Sequence, residues 1–517
     1  MTSAVELLSG GVDEVVDGPP GVDDCLRLVN QLRSFLSDDV GWAEYGFQGN
    51  NDIPTPHIDS IAARGRRFDR FYVSNPVCMP NRATLMTGRM PSRHGVRHNG
   101  IELTFDETTV VERLRDCGYG TALVGKSHLQ NIEVLPPQYP REGTPRYASE
   151  ARREGPGRHG QEIWKRWEDD SELDIEAPFY GFEHVDLVIH HADTAYGHWR
   201  RWLRAQTKDA DRLIGPENAI ATPGLELAKC RQAWRTRVPE ELYPTAWIAE
   251  RTVSRAREMA QDGKPWFIQC SFPDPHHPFT PPGRYFDAVR PEDVPAPPSF
   301  SAPHRNPAPH LKWLYEMRDT GRAVKHTQAL FACSEREARE AIALNYGSIQ
   351  CIDDAIGRVM GALPGMSGGR DTVVIFTSDH GDYLGDHWLG EKELFHEQSV
   401  RVPLIIYDPD PEADATRGSV CTDLVESIDL VPTFIEAYGL EIPTHRAARH
   451  RRSSLADFDD GLLDADGDIY LRSRPPKGLL AGMTEVPTSD WTAEPVEVRY
   501  PAAGDWRRRA RAGCPNR

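Results

Sequence analysis

Cys78-Met79-Pro80-Asn81-Arg82-Ala83-Thr84-Leu85-Met86-Thr87-Gly88-Arg89 places one cysteine ahead of a proline and an arginine at short, fixed spacing. Pro80 suits the first turn of a helix, because it lacks an N–H that would be orphaned there. A helix that starts at 78–80 aims its positive end at an anion. Taken alone, a single cysteine is most often an inert buried thiol. The company of Pro80, Arg82, Thr87 and Gly88 points instead to Cys78 as a functional residue at a helix start.

The chain has 517 residues and a formal net charge of -18. That balance argues against general nucleic-acid binding. It also repels an anionic substrate, so a site for one needs local cations or a metal. The nine cysteines (25, 78, 117, 230, 270, 333, 351, 421 and 514) are scattered, odd in number and free of any C-x-x-C pair. They form neither a disulfide framework nor a zinc cluster. Met1 to Gly21 is acidic and Gly/Pro-rich, with no basic or apolar signal region, and no stretch reaches the apolar length of a membrane span. These features predict a soluble, cytoplasmic protein without a membrane or nucleic-acid partner.

Residues 1–25 read as a loose leader, 26–440 as the main domain and 441–517 as a reduced or atypical C-terminal part. Residues 131–175, rich in Pro, Gly and charge, read as a surface excursion. Short apolar runs recur at Thr121–Val124, Trp266–Phe272, Thr372–Thr377 and Val402–Tyr407. Runs this continuous fit strands buried on both faces, as in a parallel sheet. Helical patterns lie between them, at 238–262 and Glu335–Leu363. The alternation predicts an α/β fold.

In open α/β sheets functional residues collect past the carboxyl ends of strands. Three of the runs end in Gly125-Lys126-Ser127-His128, in Pro273-Asp274-Pro275-His276-His277-Pro278 and in Ser378-Asp379-His380-Gly381-Asp382. Chance produces one such end easily and three much less readily. Lys126 alone would be a surface charge, and His128 and His276 alone would be ordinary part-buried histidines.

The Cys78–Arg89 segment resembles the signature of type I (formylglycine-dependent) sulfatases, members of the alkaline phosphatase superfamily. The resemblance extends in order over about residues 36–440. Asp38-Asp39-Val40-Gly41-Trp42 looks like the family's opening metal pair, and Lys126 and His128 match its G-K-x-H. His276 matches the histidine of its H-x-P segment, Asp379-His380 its second metal pair, and Lys392 its late lysine. The resemblance implies an alkaline-phosphatase-like α/β sandwich, with a large, mostly parallel central sheet flanked by helices and a small or degenerate C-terminal subdomain. It also implies hydrolysis of a small-molecule sulfate monoester through a covalent adduct on a formylglycine made from Cys78 by a formylglycine-generating enzyme.

Under that resemblance Asp38, Asp39, Asp379 and His380, with the converted Cys78, hold Ca²⁺ or another divalent cation such as Mg²⁺ or Mn²⁺. Arg82 holds the Cys78-derived side chain, and Lys126 and Lys392 neutralise the transferring group. His276 is the leaving-group acid and His128 the base that expels sulfate. His190, His191 and His198 either line the pocket or cap helices. The alternatives are a phosphonate or phosphate monoester hydrolase of the same superfamily, a non-catalytic relative, and a cysteine-nucleophile hydrolase.

Three features depart from the family pattern. Asn30-Gln31-Leu32-Arg33-Ser34-Phe35-Leu36, the strand expected before Asp38, is interrupted by polar residues that a doubly buried strand tolerates poorly. Asn81 stands where serine is commoner. Arg451-Arg452-Ser453-Ser454-Leu455 only echoes the G-R-S-L segment that leads into the family's smaller sheet.

Overall fold

The computed structural model describes residues 31–41, 44–133, 159–300, 304, 306–325, 329–366 and 368–437, with strand segments at 469–473, 484–485 and 506–509. The expected leader, most of the expected excursion and the Arg451–Leu455 echo lie outside the described residues. Among the described residues, no helix is long and apolar enough to cross a membrane.

The main unit contains strands β1 (Gln31–Ser37), β2 (Arg66–Phe68), β3 (Phe71–Tyr72), β4 (Gly120–Lys126), β5 (His184–Ile189), β6 (Tyr196–Gly197), β7 (Trp266–Ser271), β8 (Phe331–Ala332), β9 (Thr372–Ser378), β10 (Leu389–Gly390), β11 (Leu404–Tyr407), β12 (Val420–Cys421) and β13 (Val425–Glu426). Nine of them form one sheet in the order β12-β2-β11-β9-β1-β7-β4-β5-β6. The run β9-β1-β7-β4-β5 is parallel throughout. Its carboxyl ends therefore point the same way and bring their trailing loops to one edge.

Two expectations need correction. The Val402–Tyr407 run does not join the parallel array; β11 lies antiparallel to both β9 and β2. An apolar run reports burial on two faces and not direction, and a mixed sheet buries an antiparallel member equally well. The polar residues before Asp38 do not displace β1 from the centre. It pairs with β7 and β9 in unbroken register, from Gln31 opposite Trp266 and Thr372 to Ser37 opposite Ser378. Its apolar pair, Phe35 and Leu36, is buried at the end that leads to the site.

The sheet is covered by α1 (Pro56–Arg64), α2 (Cys78–Thr87), α3 (Val110–Asp116), α4 (Pro244–Gln261) and α5 (Glu335–Ala362). Alternate strand residues Phe35, Val124, Ile268, Val374 and Phe376 form one core with Ile58 and Ile61 of α1, Trp247 and Ile248 of α4, and Ile352 and Ile356 of α5. Helix α3 lies against β4. A reciprocal cap opens α5: the Ser334 hydroxyl accepts from the Glu337 amide, and the Glu337 carboxylate accepts from the Ser334 amide at 2.7 Å. At the end of β4, Gly125 has φ +110°, and a Cβ there would stand 1.8 Å from the Ser271 carbonyl oxygen of β7. Only glycine lets the two site-bearing strands approach this closely.

Beyond Val431, in a second unit of the chain, Ile469–Ser473 pairs antiparallel with both Thr484–Glu485 and Trp506–Arg509.

Phe376, fully buried in β9, tests the core directly. Phe376→Ala is expected to cost about 3–5 kcal/mol. Trp313→Ala, at a site 57% exposed, should change stability by less than about 0.5 kcal/mol. Denaturant unfolding followed by circular dichroism measures both, and equal losses would contradict this core.

Candidate active site

Each site residue follows from where a strand or helix stops. β1 ends at Ser37, and Asp38 and Asp39 turn away from it. The Asp38 amide donates to the Asp274 carbonyl at 3.2 Å, and the Asp39 amide donates to the Asp379 carboxylate at 3.4 Å. Asp39 takes φ +57°, which aspartate tolerates better than most residues. β4 delivers Lys126, the loop after β7 delivers His276, and β9 delivers Asp379 and His380. Helix α2 starts at Cys78, as its sequence predicts, and ends at Gly88 with φ 64°.

The expected residues converge. The Arg82 Nε donates to Asp379 at 2.7 Å, and its Nη2 lies 3.5 Å from Asp38. Its Nη1 donates to the Lys126 carbonyl at 3.2 Å and to the Ser271 hydroxyl at 3.1 Å. The guanidinium is thus taken up by the two carboxylates and the strand ends. Lys126 Nζ donates to Asp38 and lies 2.7 Å from His191 Nε2. Lys392 Nζ donates to both Asp39 oxygens, at 2.9 and 3.0 Å, and lies 2.7 Å from His276 Nε2. His380 Nδ1 is 2.6 Å from Asp39, and its Nε2 is 3.0 Å from the Cys78 sulfur. His128 is buried beside them, and its Nδ1 has no hydrogen-bond partner among the described residues.

Electrostatics here is set by pairs taken out of water together. Burial alone raises a carboxyl pKa. Lys126 and Arg82 overcome it at Asp38, as do Lys392 and His380 at Asp39, and both acids are held below their ordinary range. At Asp379 burial prevails over Arg82, and the shift is upward. Burial pushes His276 and His128 down. His380 moves up despite burial, because Asp379 and Asp39 flank it.

The donors suit a cation. One ligand atom from each of Asp38, Cys78, Asp379 and His380 lies within 4.8 Å of every other. Among the described residues the buried Asp38 Oδ1 accepts no hydrogen bond, and the Arg82 Nη2 stands 3.5 Å from it. A carboxylate oxygen held this weakly inside a carboxylate-rich group is what a hard divalent ion would satisfy.

Two groups complete the pocket. His191, one of the three histidines left open by sequence, stacks on His276 with ring centroids 3.6 Å apart and an interplanar angle of 2°. Its position at the end of β5 is the same signal that marks the other strand ends. His190 and His198 turn elsewhere, toward Glu133 and Asp174. The second group, His277 with Glu391 at 2.6 Å, ties together the sequence neighbours of His276 and Lys392. Nothing in the spacing of the sequence signals that pair.

The sequence model of the Sulfatase family matches residues 35–155 and 191–440. The chain belongs to the sulfatase family. It is a hydrolase with an alkaline-phosphatase-like fold, and the family's chemistry is sulfate ester hydrolysis. An arylsulfatase of Clostridium perfringens is 26% identical over 426 residues, covering 81% of this chain and 75% of that one. The multifunctional alkaline phosphatase superfamily protein PehA of Trinickia caryophylli is 28% identical over 398 residues, covering 76% and 69%. Among solved structures, the phosphonate monoester hydrolase of Agrobacterium radiobacter superposes with a TM-score of 0.59 at 23% identity, covering 80% of this chain and 74% of that one. At that identity the likeness is one of fold.

Arg82 bridges two buried carboxylates, so its loss removes a cation that both share. Arg82→Met is expected to cost about 3–5 kcal/mol of folding stability in the presence of chelator. Chemical denaturation checks it, and a loss under about 1 kcal/mol would refute the pairing.

Proposed function

We propose that the chain hydrolyses a sulfate monoester, using an aldehyde made from Cys78 and a divalent cation. One observation carries this reading: the Cys78 side chain, at the N-terminus of α2, is enclosed by Asp38, Asp379 and His380. A thiol is the odd member of that oxygen-rich set. An oxygen in its place would suit a hard cation. The intact Cys78, Pro80 and Arg82 would serve recognition by a formylglycine-generating enzyme.

Asp38, Asp39, Asp379 and His380 would hold the cation, and calcium suits the carboxylates. When bound, it would polarise the sulfate oxygens and favour ionisation of the nucleophile at position 78. The remaining work falls to the chain's own residues. Lys126 and Lys392 would place positive charge on opposite sides of the ester. The His276 Nδ1 hydrogen bonds to the His277 carbonyl, which assigns the ring proton to Nδ1. Its Nε2 then accepts from the Lys392 ammonium. The leaving-group proton is therefore drawn from the Lys392–His276 pair rather than from His276 alone. His128, pushed down by burial and with no partner for its Nδ1 among the described residues, would be available as the base that completes turnover.

A second reading is phosphonate monoester hydrolysis. It is favoured by the fold shared with the Agrobacterium radiobacter phosphonate monoester hydrolase and by the multifunctional Trinickia caryophylli relative.

Mass spectrometry of the Cys78 peptide tests the nucleophile. The expected product, after co-expression with a formylglycine-generating enzyme, has lost sulfur and two hydrogens and gained one oxygen, and it resists thiol alkylation. An unmodified, alkylatable Cys78 in active enzyme sinks the proposal. Parallel kinetics on an aryl sulfate and an aryl phosphonate decide the substrate, and a preference for the phosphonate selects the second reading. Calcium at a hundredfold excess over its dissociation constant should add about 2.7 kcal/mol of stability, read as a rise in melting temperature over the chelated protein.

A further inference from the structure

Glu162 is 1% exposed, and among the described residues no cation pairs with it. A carboxylate is costly to bury in this way unless it is well hydrogen-bonded. Its partners are three consecutive backbone amides. Oε2 accepts from His128 N at 2.7 Å, and Oε1 accepts from Leu129 N at 3.1 Å and Gln130 N at 3.0 Å. Those amides belong to the turn that follows β4, immediately after Lys126. The brace is reciprocal, since the Gln161 amide donates to the Gln130 side chain at 2.8 Å. Burial lifts the Glu162 carboxyl to about 7, although the three amides and the Ser127 hydroxyl pull it back.

The same turn holds His128 at φ +56°, a conformation that costs of order 1 kcal/mol or more and persists only where its surroundings impose it. Among the described residues the imidazole Nδ1 has no hydrogen-bond partner to steer it. The three bonds from Glu162 fix the backbone from which the His128 ring projects. Glu162 also falls in the stretch between the two family-matched segments, 35–155 and 191–440.

We propose that Glu162 is a positioning residue that clamps the turn after β4 and aims His128 into the ester-cleaving pocket. The inference rests on the reading of His128 as a base. Glu162→Gln replaces one acceptor oxygen with an amide that faces an N–H, so one of the three bonds is lost.

The test combines kinetics with hydrogen exchange. Glu162→Gln should lower kcat on an aryl sulfate by roughly 10- to 100-fold while leaving KM within about twofold, as expected for a misdirected group that does not bind substrate. His128→Ala and the double variant Glu162→Gln/His128→Ala should have equal rates, because a residue that acts through His128 has nothing left to lose. Amide exchange at 128–130 should accelerate in Glu162→Gln. Glu162→Asp, which keeps the charge and shortens the reach, should show the same kinetic split and serves where the glutamine variant does not fold. Multiplying losses in the double variant, or unchanged exchange at 128–130, overturns the proposal. The exchange measurement needs no turnover, so it stands even if the enzyme proves inactive on sulfate esters.

Discussion

The Arg82 guanidinium, 2% exposed, lies between Asp38 and Asp379, which are completely buried. Three carboxylates, two lysines and an arginine share one pocket with little access to water. Each ion pays a desolvation cost of several kcal/mol that only close partners offset. The cluster therefore exists only if β1, β4, β7 and β9 end at matching heights. The parallel register supplies that match, and Arg82 fastens it by reaching the Lys126 carbonyl and the Ser271 hydroxyl together. Charge pairing and sheet register are in this sense one constraint.

Backbone strain gathers at the same edge. Asp39, His128, His190, Ala192, Glu391 and Glu393 all have positive φ, and all lie in or beside segments that leave a strand toward the site. Such conformations cost of order 1 kcal/mol each and survive where neighbours over-determine them. The neighbours can be named: the Asp379 carboxylate on the Asp39 amide, Glu162 under His128, and His277 against Glu391.

Much of this was legible in sequence, and the reasons differ from residue to residue. Trp266–Phe272 and Thr372–Thr377 read as strands because doubly buried strands leave a continuous apolar run, and their polar trailers mark the catalytic edge. Cys78 and Arg82 read clearly because a short motif on one helix start holds both. β11 misled in direction because hydropathy carries burial and no polarity of the chain. The polar half of β1 obscured a central strand, since the parallel backbone ladder binds it whatever its side chains. Glu162 and the His277–Glu391 pair left no trace, because a carboxylate that serves distant backbone amides or a distant ring has no spacing rule of its own.

The charge balance of the pocket bears on what it would accept. Asp38, Asp39 and Asp379 face Arg82, Lys126 and Lys392, so these charges cancel, and a protonated His380 would leave the pocket one charge positive before any ligand arrives. In the proposed reaction a divalent cation would displace the His380 proton and add two positive charges. A singly charged ester and an ionised nucleophile at position 78 return the total to neutrality. A sulfate monoester carries one charge, and so does a phosphonate monoester. A phosphate monoester dianion carries two and would leave a net negative charge in a buried pocket, within a chain whose overall charge is already -18. Desolvation thus favours the two singly charged esters over the third, and it does so through the count of buried ions rather than through the shape of any leaving group.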